Sequence, residues 1–360
     1  MAHSPLHCES PARHGSTAAP VFIVGAGAIV RSAHLPGYAS AGIPVAGLFD
    51  LDAARASEAA ACCGARRFEE LDAMLHACAE AHGVLDLAVP PQALGEILAR
   101  VPHGMRVLVQ KPFGRDLAEA TRLVESVRAR HLVAAVNFQL RHAPCVRAVR
   151  SLVRDGAIGD ALDAEIRVVC RMPWETWPFL EGLPRMEVLM HSIHYLDLCR
   201  ALFGEPERVW CATARHPAAP RLADTRSTTV LSFGESRRAV VSTYHHHAAP
   251  AAHDASQLRV EGTRGTIVAQ LGVNLDYPRG RPDFVEISRD GGSWERVAVE
   301  GNWFPDAFGA SMLALQRFAR GESTHLESSA EDAWRTMALV ETCYKSALGG
   351  ERLPEPPSGP

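Results

Sequence analysis

The sequence predicts an α/β Rossmann domain followed by an α+β domain with a large, mostly antiparallel sheet. Three observations predict it. A short all-apolar run, Val21 to Val24, passes directly into Gly25-Ala26-Gly27; apolar strands and helical stretches alternate regularly up to about residue 140; and beyond that point strand-like stretches accumulate with one clear helix among them. A strand with no polar face suits a parallel sheet covered on both sides, and the alternation is that of a doubly wound sheet.

In chain order, strands are expected at Val21 to Val24, Val45 to Phe49, Val84 to Val89, Arg106 to Val109 and Val133 to Phe138. Helices are expected at Ala53 to Cys63, Glu69 to Glu80, Ala93 to Val101 and Leu117 to Arg130. A helix over Cys145 to Asp155 then leads into an extended stretch, Ala161 to Cys170, and Val188 to Phe203 is the helix set among strands. Val209 to Ala214, Thr228 to Phe233, Ala239 to His245, Gln257 to Glu261, Thr266 to Gln270, Phe284 to Ser288 and Glu295 to Val299 read as strands, with Arg289-Asp290-Gly291-Gly292-Ser293 as a hairpin turn. Helices over Asp306 to Arg320 and Ala330 to Leu348 close the chain. The expected division is a disordered tail over 1–19, a Rossmann domain over 20–140, a substrate and oligomerisation domain over 141–348, and a tail over 349–360.

Composition narrows the function. The 360 residues, 47% hydrophobic, suffice for two cores. A net charge of −4, from 37 basic against 41 acidic side chains, offers no basic field for nucleic acid or anionic lipid. Nine cysteines without a C-x-x-C pair suggest neither zinc nor a redox dithiol and fit a reducing compartment. With no signal-peptide core and no membrane-length apolar run, a cytoplasmic protein is expected.

Gly25 and Gly27 begin the chemistry. Glycine permits a tight turn after a strand and lets backbone N–H groups approach a pyrophosphate, and the helix start at Ala28 and Ile29 adds its positive dipole end. The third position of G-x-G-x-x-G is Val30. Asp50 follows at the tip of the second strand, where a carboxylate accepts both ribose hydroxyls. The same carboxylate repels a 2′-phosphate, and no Arg or Lys lies in the next four residues, so NAD is favoured over NADP.

Two further segments carry a resemblance: Val107-Leu108-Val109-Gln110-Lys111-Pro112, and His191-Ser192-Ile193-His194-Tyr195-Leu196-Asp197. With Gly25-Ala26-Gly27, His34-Leu35-Pro36, Asp50, Pro90-Pro91, Arg141 and Gly156-x-x-Gly159, they fall in the order seen in the Gfo/Idh/MocA family of glucose-fructose oxidoreductase and inositol dehydrogenase, which the chain resembles from about residue 20 to about 348. The resemblance implies an NAD(P)-dependent dehydrogenase acting on CH–OH of a sugar-like substrate. It places Lys111 between nicotinamide and substrate and makes His194 the acid/base, with Pro90, Lys111 and Pro112 beside the cofactor. Those roles suit the residues: histidine is a base poised near neutral pH, and an ammonium stabilises a developing alkoxide.

Four positions depart from the family pattern. Gln110 replaces Glu, Leu94 stands where many members have His, Val30 replaces a small residue, and Met190 occupies the place, four before His194, where many members have Asp. His191, Tyr195 or Asp197 could assist His194 instead, since residues three or four apart share a helix face. Asp197 has a structural use as an acceptor tying the helix to its surroundings.

For the substrate, Trp174 and Trp177 in a Pro-containing loop and Trp303 before a later helix offer aromatic faces to a sugar, with Arg141 and Arg185 as hydroxyl contacts and His191 and Tyr195 beside them. Within the family these segments look most like members that oxidise pentoses or other aldoses. No metal is expected: in His245-His246-His247 consecutive strand side chains point to opposite faces. Two alternatives stand beside the dehydrogenase, an NAD-assisted enzyme that oxidises and then eliminates a glycoside, and a non-catalytic dinucleotide-binding sensor. A homodimer or homotetramer is expected by resemblance, through the open face of the second sheet.

Overall fold

The computed structural model describes residues 18–249 and 251–349, so the tails expected at 1–19 and 349–360 lie almost wholly outside the described residues. Ala19 is held in place: its N–H donates to Gln316 Oε1 at 2.8 Å and its carbonyl accepts from Gln316 Nε2 at 3.1 Å.

The first sheet contains β1 (Val21–Val24), β2 (Val45–Phe49), β3 (Arg66–Arg67), β4 (Val84–Leu87), β5 (Arg106–Val109) and β6 (Val133–Val136). All pair in parallel in the order β3-β2-β1-β4-β5-β6. Between them run α1 (Leu35–Ser40), α2 (Ala53–Cys63), α3 (Leu71–Glu80), α4 (Leu94–Arg100) and α5 (Leu117–Ala129). Every residue of β1 and β4 is buried, as their lack of a polar face requires. The edge strand β3, two arginines long, is too short to leave a pattern in the sequence.

The second sheet follows α6 (Pro144–Arg154). It contains β7 (Ala161–Val169), then, after α7 (Ile193–Phe203), β8 (Arg208–Ala214), β9 (Arg226–Phe233), β10 (Arg237–Tyr244), β11 (Ala255–Gly262), β12 (Gly265–Gln270), β13 (Phe284–Arg289) and β14 (Glu295–Val297). Its order is β14-β13-β12-β11-β7-β10-β9-β8, and only the central β7–β10 pair is parallel. Alternation decides the faces: Ala164, Ile166 and Val168 of β7 are buried while Glu165 and Arg167 face outward. The buried face is covered by α6, which turns Val146, Val149 and Leu152 inward against β12 and β13. Each such aliphatic side chain contributes about 1.5–3 kcal/mol on burial.

The chain ends by returning to the first sheet. α8 (Asp306–Ala319), expected in the second domain, packs Met312 and Leu315 into one core with Val21, Ile23, Val30 and Tyr38. Glycine makes this contact possible, because a Cβ on Gly309 would stand 2.4 Å from the Gly37 carbonyl oxygen of α1. α9 (Ala330–Leu348) lies against both β8 and α5, and Trp334 Nε1 donates to Thr121 Oγ1 at 2.9 Å. α9 thus ties the two sheets together, while α8 packs on the first.

Two segments wind as π-helix, Val30–His34 before α1 and Glu187–Ser192 before α7. A 3.6-residue periodicity cannot announce them. The first begins at Val30, the bulky residue in the third glycine's place; the second turns the helix expected over Val188 to Phe203 into two winding regimes. Such π turns occur frequently at functional sites.

Candidate active site

The glycine turn has the form a dinucleotide requires. Gly25 has φ +102, and a Cβ there would lie 2.4 Å from the Ala88 carbonyl oxygen, so no other residue fits. Around Gly27 there is open space, and Ala28 is exposed at the helix start, where the first N–H groups have no intrahelical acceptor. Asp50 stands beside the turn: its Oδ2 accepts from Ala26 N–H at 2.7 Å and its Oδ1 from Asp52 N–H at 2.8 Å. Each oxygen retains a lone pair for a ribose hydroxyl. Pro90 is exposed at the head of the next β-α connection, and Pro112 is buried behind Lys111. The residues therefore fit a dinucleotide.

Lys111 follows β5 and is joined to Pro112 by a cis peptide. Its ammonium donates to the Met190 carbonyl oxygen at 2.8 Å, a backbone acceptor four residues before His194. Burial pushes Lys111 down to about 8. Behind it lies a network that sequence reasoning missed. Lys111 N–H donates to Gln110 Oε1 at 2.9 Å, Gln110 Nε2 meets His34 Nε2 at 3.0 Å, and His34 Nδ1 meets Asp86 Oδ2 at 2.7 Å. Tyr38 donates to the same Asp86 oxygen at 2.7 Å. With Gln110 donating to Nε2, the Nδ1 proton of His34 faces the carboxylate, which fixes the tautomer. The signal was a carboxylate inside an apolar strand, Val84-Leu85-Asp86-Leu87, because a buried charge must be partnered.

His194, on the first turn of α7, is 7% exposed, and its Nδ1 has no hydrogen-bond partner. Phe138 and Trp303 stand edge-on to it, each 6.3 Å between ring centroids. Burial, reinforced by the Lys111 charge and then by His191, holds His194 well below the usual imidazole range. The neutral ring is a proton acceptor throughout the physiological range.

Beside it is a second cluster. His245, immediately after β10, lies with its Nε2 2.9 Å from Glu187 Oε2, and Ser192 and Thr243 hydroxyls donate to Glu187 Oε1 at 2.6 and 2.8 Å. His191 Nδ1 is 4.0 Å from Glu187, and its ring packs on His245 at 4.2 Å. Burial disfavours every charge here, yet the Glu187–His245 attraction prevails, holding Glu187 down at about 2 and His245 up at about 10. Burial and then the His245 charge push His191 down to about 3. Trp174 stands edge-on to His245 at 5.2 Å, and Trp177 to Tyr277 at 5.1 Å. The three consecutive histidines diverge, as alternation requires: His246 stacks on His216 at 4.2 Å, and His247 lies 3.5 Å from Asp254.

Three expected substrate contacts are corrected. Arg141 is buried and turned to Asp197 at 2.6 Å and Asp332 at 2.8 Å, an ion-pair network and not a sugar contact. Arg185 is paired with Glu341 at 2.5 Å and lies over the Tyr344 ring. Tyr195 is fully buried and accepts from Asn274 Nδ2 at 2.8 Å. Asp197, holding Arg141 and accepting from Thr336 at 2.8 Å, is not free to assist His194, and Tyr195 is equally engaged. Trp174, Trp177, Trp303 and His191 remain at the site, joined by Phe138 and His245. Leu94 is packed into the core, so its departure from histidine touches no chemistry.

A Rossmann sheet with a glycine turn and strand-tip carboxylate, together with a lysine and a buried histidine whose Nδ1 has no partner, has the parts of a dinucleotide-dependent oxidoreductase. Two family profiles agree: the oxidoreductase family NAD-binding Rossmann fold matches residues 20–138, and the GFO/IDH/MocA C-terminal domain matches residues 146–268. The chain belongs to the Gfo/Idh/MocA family of NAD-binding oxidoreductases. It is 28% identical over 325 residues to a D-apiose dehydrogenase of Paraburkholderia graminis, covering 87% of this chain and 83% of that one. It is 29% identical to inositol 2-dehydrogenase 3 of Saccharopolyspora erythraea over 87% of this chain and 88% of that one. Among solved structures, an Agrobacterium radiobacter oxidoreductase in complex with NAD+, L-tartaric acid and magnesium superimposes with a TM-score of 0.76 at 20% identity, covering 93% of this chain and 98% of that one. Among the described residues, no helix is long and apolar enough to cross a membrane.

Proposed function

We propose that the protein transfers hydride between NAD and a hydroxyl or carbonyl of a sugar or polyol, with an aldose of the pentose class as the substrate the D-apiose dehydrogenase likeness favours. What supports the proposal is the bond of Lys111 Nζ, from the first lobe, to the Met190 carbonyl oxygen at 2.8 Å, four residues before His194 in the second. Bound NAD supplies the hydride acceptor. In oxidation, neutral His194 takes the hydroxyl proton while the Lys111 ammonium, anchored on the Met190 carbonyl, stabilises the developing alkoxide. In reduction, Lys111 polarises the carbonyl and His194 returns the proton. Gln110, His34 and Asp86 hold the backbone of Lys111 in place. Trp174 and Trp303 offer aromatic faces to the sugar.

NAD is favoured over NADP because the Asp50 carboxylate would meet a 2′-phosphate. We further place the protein in the cytoplasm, supported by its free described cysteines, and as a homodimer or homotetramer through the open face of the second sheet, where Trp210 is 52% exposed. A panel of aldoses, polyols and glycosides with NAD and NADP, followed by absorbance of reduced cofactor, tests the reaction. NADH formation by the wild type, lost in Lys111→Ala, is expected. Free sugar released from glycosides without net NADH identifies the elimination enzyme instead, and NAD binding without any turnover identifies a sensor.

A further inference from the structure

Sequence reasoning expects no metal, and the histidine triplet indeed cannot hold one ion. The fold nevertheless brings one of its members to two residues of the π-helical segment. Glu187 and His191 are four apart on that segment, and His245 comes from the end of β10. We propose that Glu187, His191 and His245 bind one divalent transition-metal ion of the zinc class through Glu187 Oε2, His191 Nδ1 and His245 Nε2.

These ligand atoms lie within 4.8 Å of one another. Each is buried and has no partner with hydrogen-bond geometry, even though Glu187 Oε2 and His245 Nε2 are only 2.9 Å apart. Glu187 and His245 are both fully buried. Glu187 Oε2 and His245 Nε2 thus have only their mutual charge attraction and His191 Nδ1 has no partner, and buried polar atoms left so are costly unless something joins them. The remaining polar atoms are engaged: Ser192 and Thr243 bond Glu187 Oε1, and Cys170 Sγ lies 3.7 Å from His245 Nδ1. Such outer contacts orient the ligands of a metal centre.

Two imidazoles and a carboxylate suit zinc and its neighbours and exclude calcium and magnesium, which prefer oxygen donors. Tetrahedral zinc at about 2.0–2.1 Å from its ligands needs them about 3.3 Å apart, a small adjustment from the observed spacing. Three protein ligands leave a fourth position for water or a substrate oxygen. On coordination His245 surrenders its Nε2 proton to solvent. The site adjoins that of the proposed hydride transfer, sharing His191 and His245 with it, and metal uptake is read without turnover.

The experiment is metal uptake by the full chain, stripped with chelator and titrated with zinc or cobalt(II). One ion per chain by elemental analysis, with the visible bands of tetrahedral cobalt, is expected, and both are lost in Glu187→Gln and His245→Ala. His191→Ala, at the partly exposed ligand, disturbs the fold least and weakens uptake by more than about tenfold; it decides the matter if the other variants fail to fold. A Cys62→Ser, Cys63→Ser variant, removing the vicinal exposed and half-exposed thiols, retains the ion. No uptake by the wild type, or uptake unaffected by His191→Ala, overturns the proposal.

Discussion

The charge on Lys111 makes the first prediction. Burial lowers its pKa from 10.5 to about 8, so the group is roughly nine-tenths ammonium at pH 7 and roughly one-tenth at pH 9. If the ammonium polarises the reacting oxygen, turnover falls as pH rises through about 8, approaching tenfold per unit above it. Hydroxyl oxidation under initial-rate conditions is the direction to measure, since it uses His194 as the neutral base the site holds, whereas reduction needs the protonated ring. His194, held well below its ordinary range, adds no limb near neutrality. Saturating initial rates between pH 6 and 10 should therefore show a single descending limb near pH 8, absent in Lys111→Ala, whose rate should be about 10²–10³-fold lower and flat. A rate that rises through pH 8 would refute the assignment, because it would make neutral Lys111 the base.

Three further outcomes follow from the same geometry. His194→Ala should lower turnover about 10²- to 10⁴-fold with NAD affinity by fluorescence titration nearly unchanged. Asp50→Ala removes charge-assisted bonds to ribose worth about 1.5–3 kcal/mol, so NAD should bind roughly 10- to 100-fold more weakly while NADP binding changes little; equal losses for both cofactors would contradict its role. Arg141→Ala strands Asp197 and should cost about 3–5 kcal/mol in urea unfolding, an effect on stability; a raised KM with unchanged stability would return Arg141 to the substrate.

The Rossmann half was legible because its strands, the two-arginine β3 apart, are mostly apolar and its glycine turn demands specific residues at fixed places. The second sheet was legible from alternation, down to its mostly antiparallel order. Lys111 and His194 drew attention through motifs local in sequence, and Lys111 Nζ bonds the Met190 carbonyl four residues before His194. Arg141, Arg185 and Tyr195 misled because a sequence shows a side chain's polar atoms and never their partners: Asp197 and Asp332 accept from Arg141, Glu341 accepts from Arg185, and Asn274 donates to Tyr195. The return of α8 to the first sheet was hidden for a related reason, since an amphipathic helix names no partner. Glu187 and Asp86 are polar residues among apolar ones, but their partners lie 58 and 52 positions away. The π windings leave no period at all.

The most direct measurement is a crystal structure of the ternary complex with NAD and an inert sugar analogue. Its reacting oxygen should lie within about 3.2 Å of both Lys111 Nζ and a His194 ring nitrogen, beside the nicotinamide C4. An oxygen bound elsewhere, with Lys111 and His194 turned from it, would contradict the assignment of both residues.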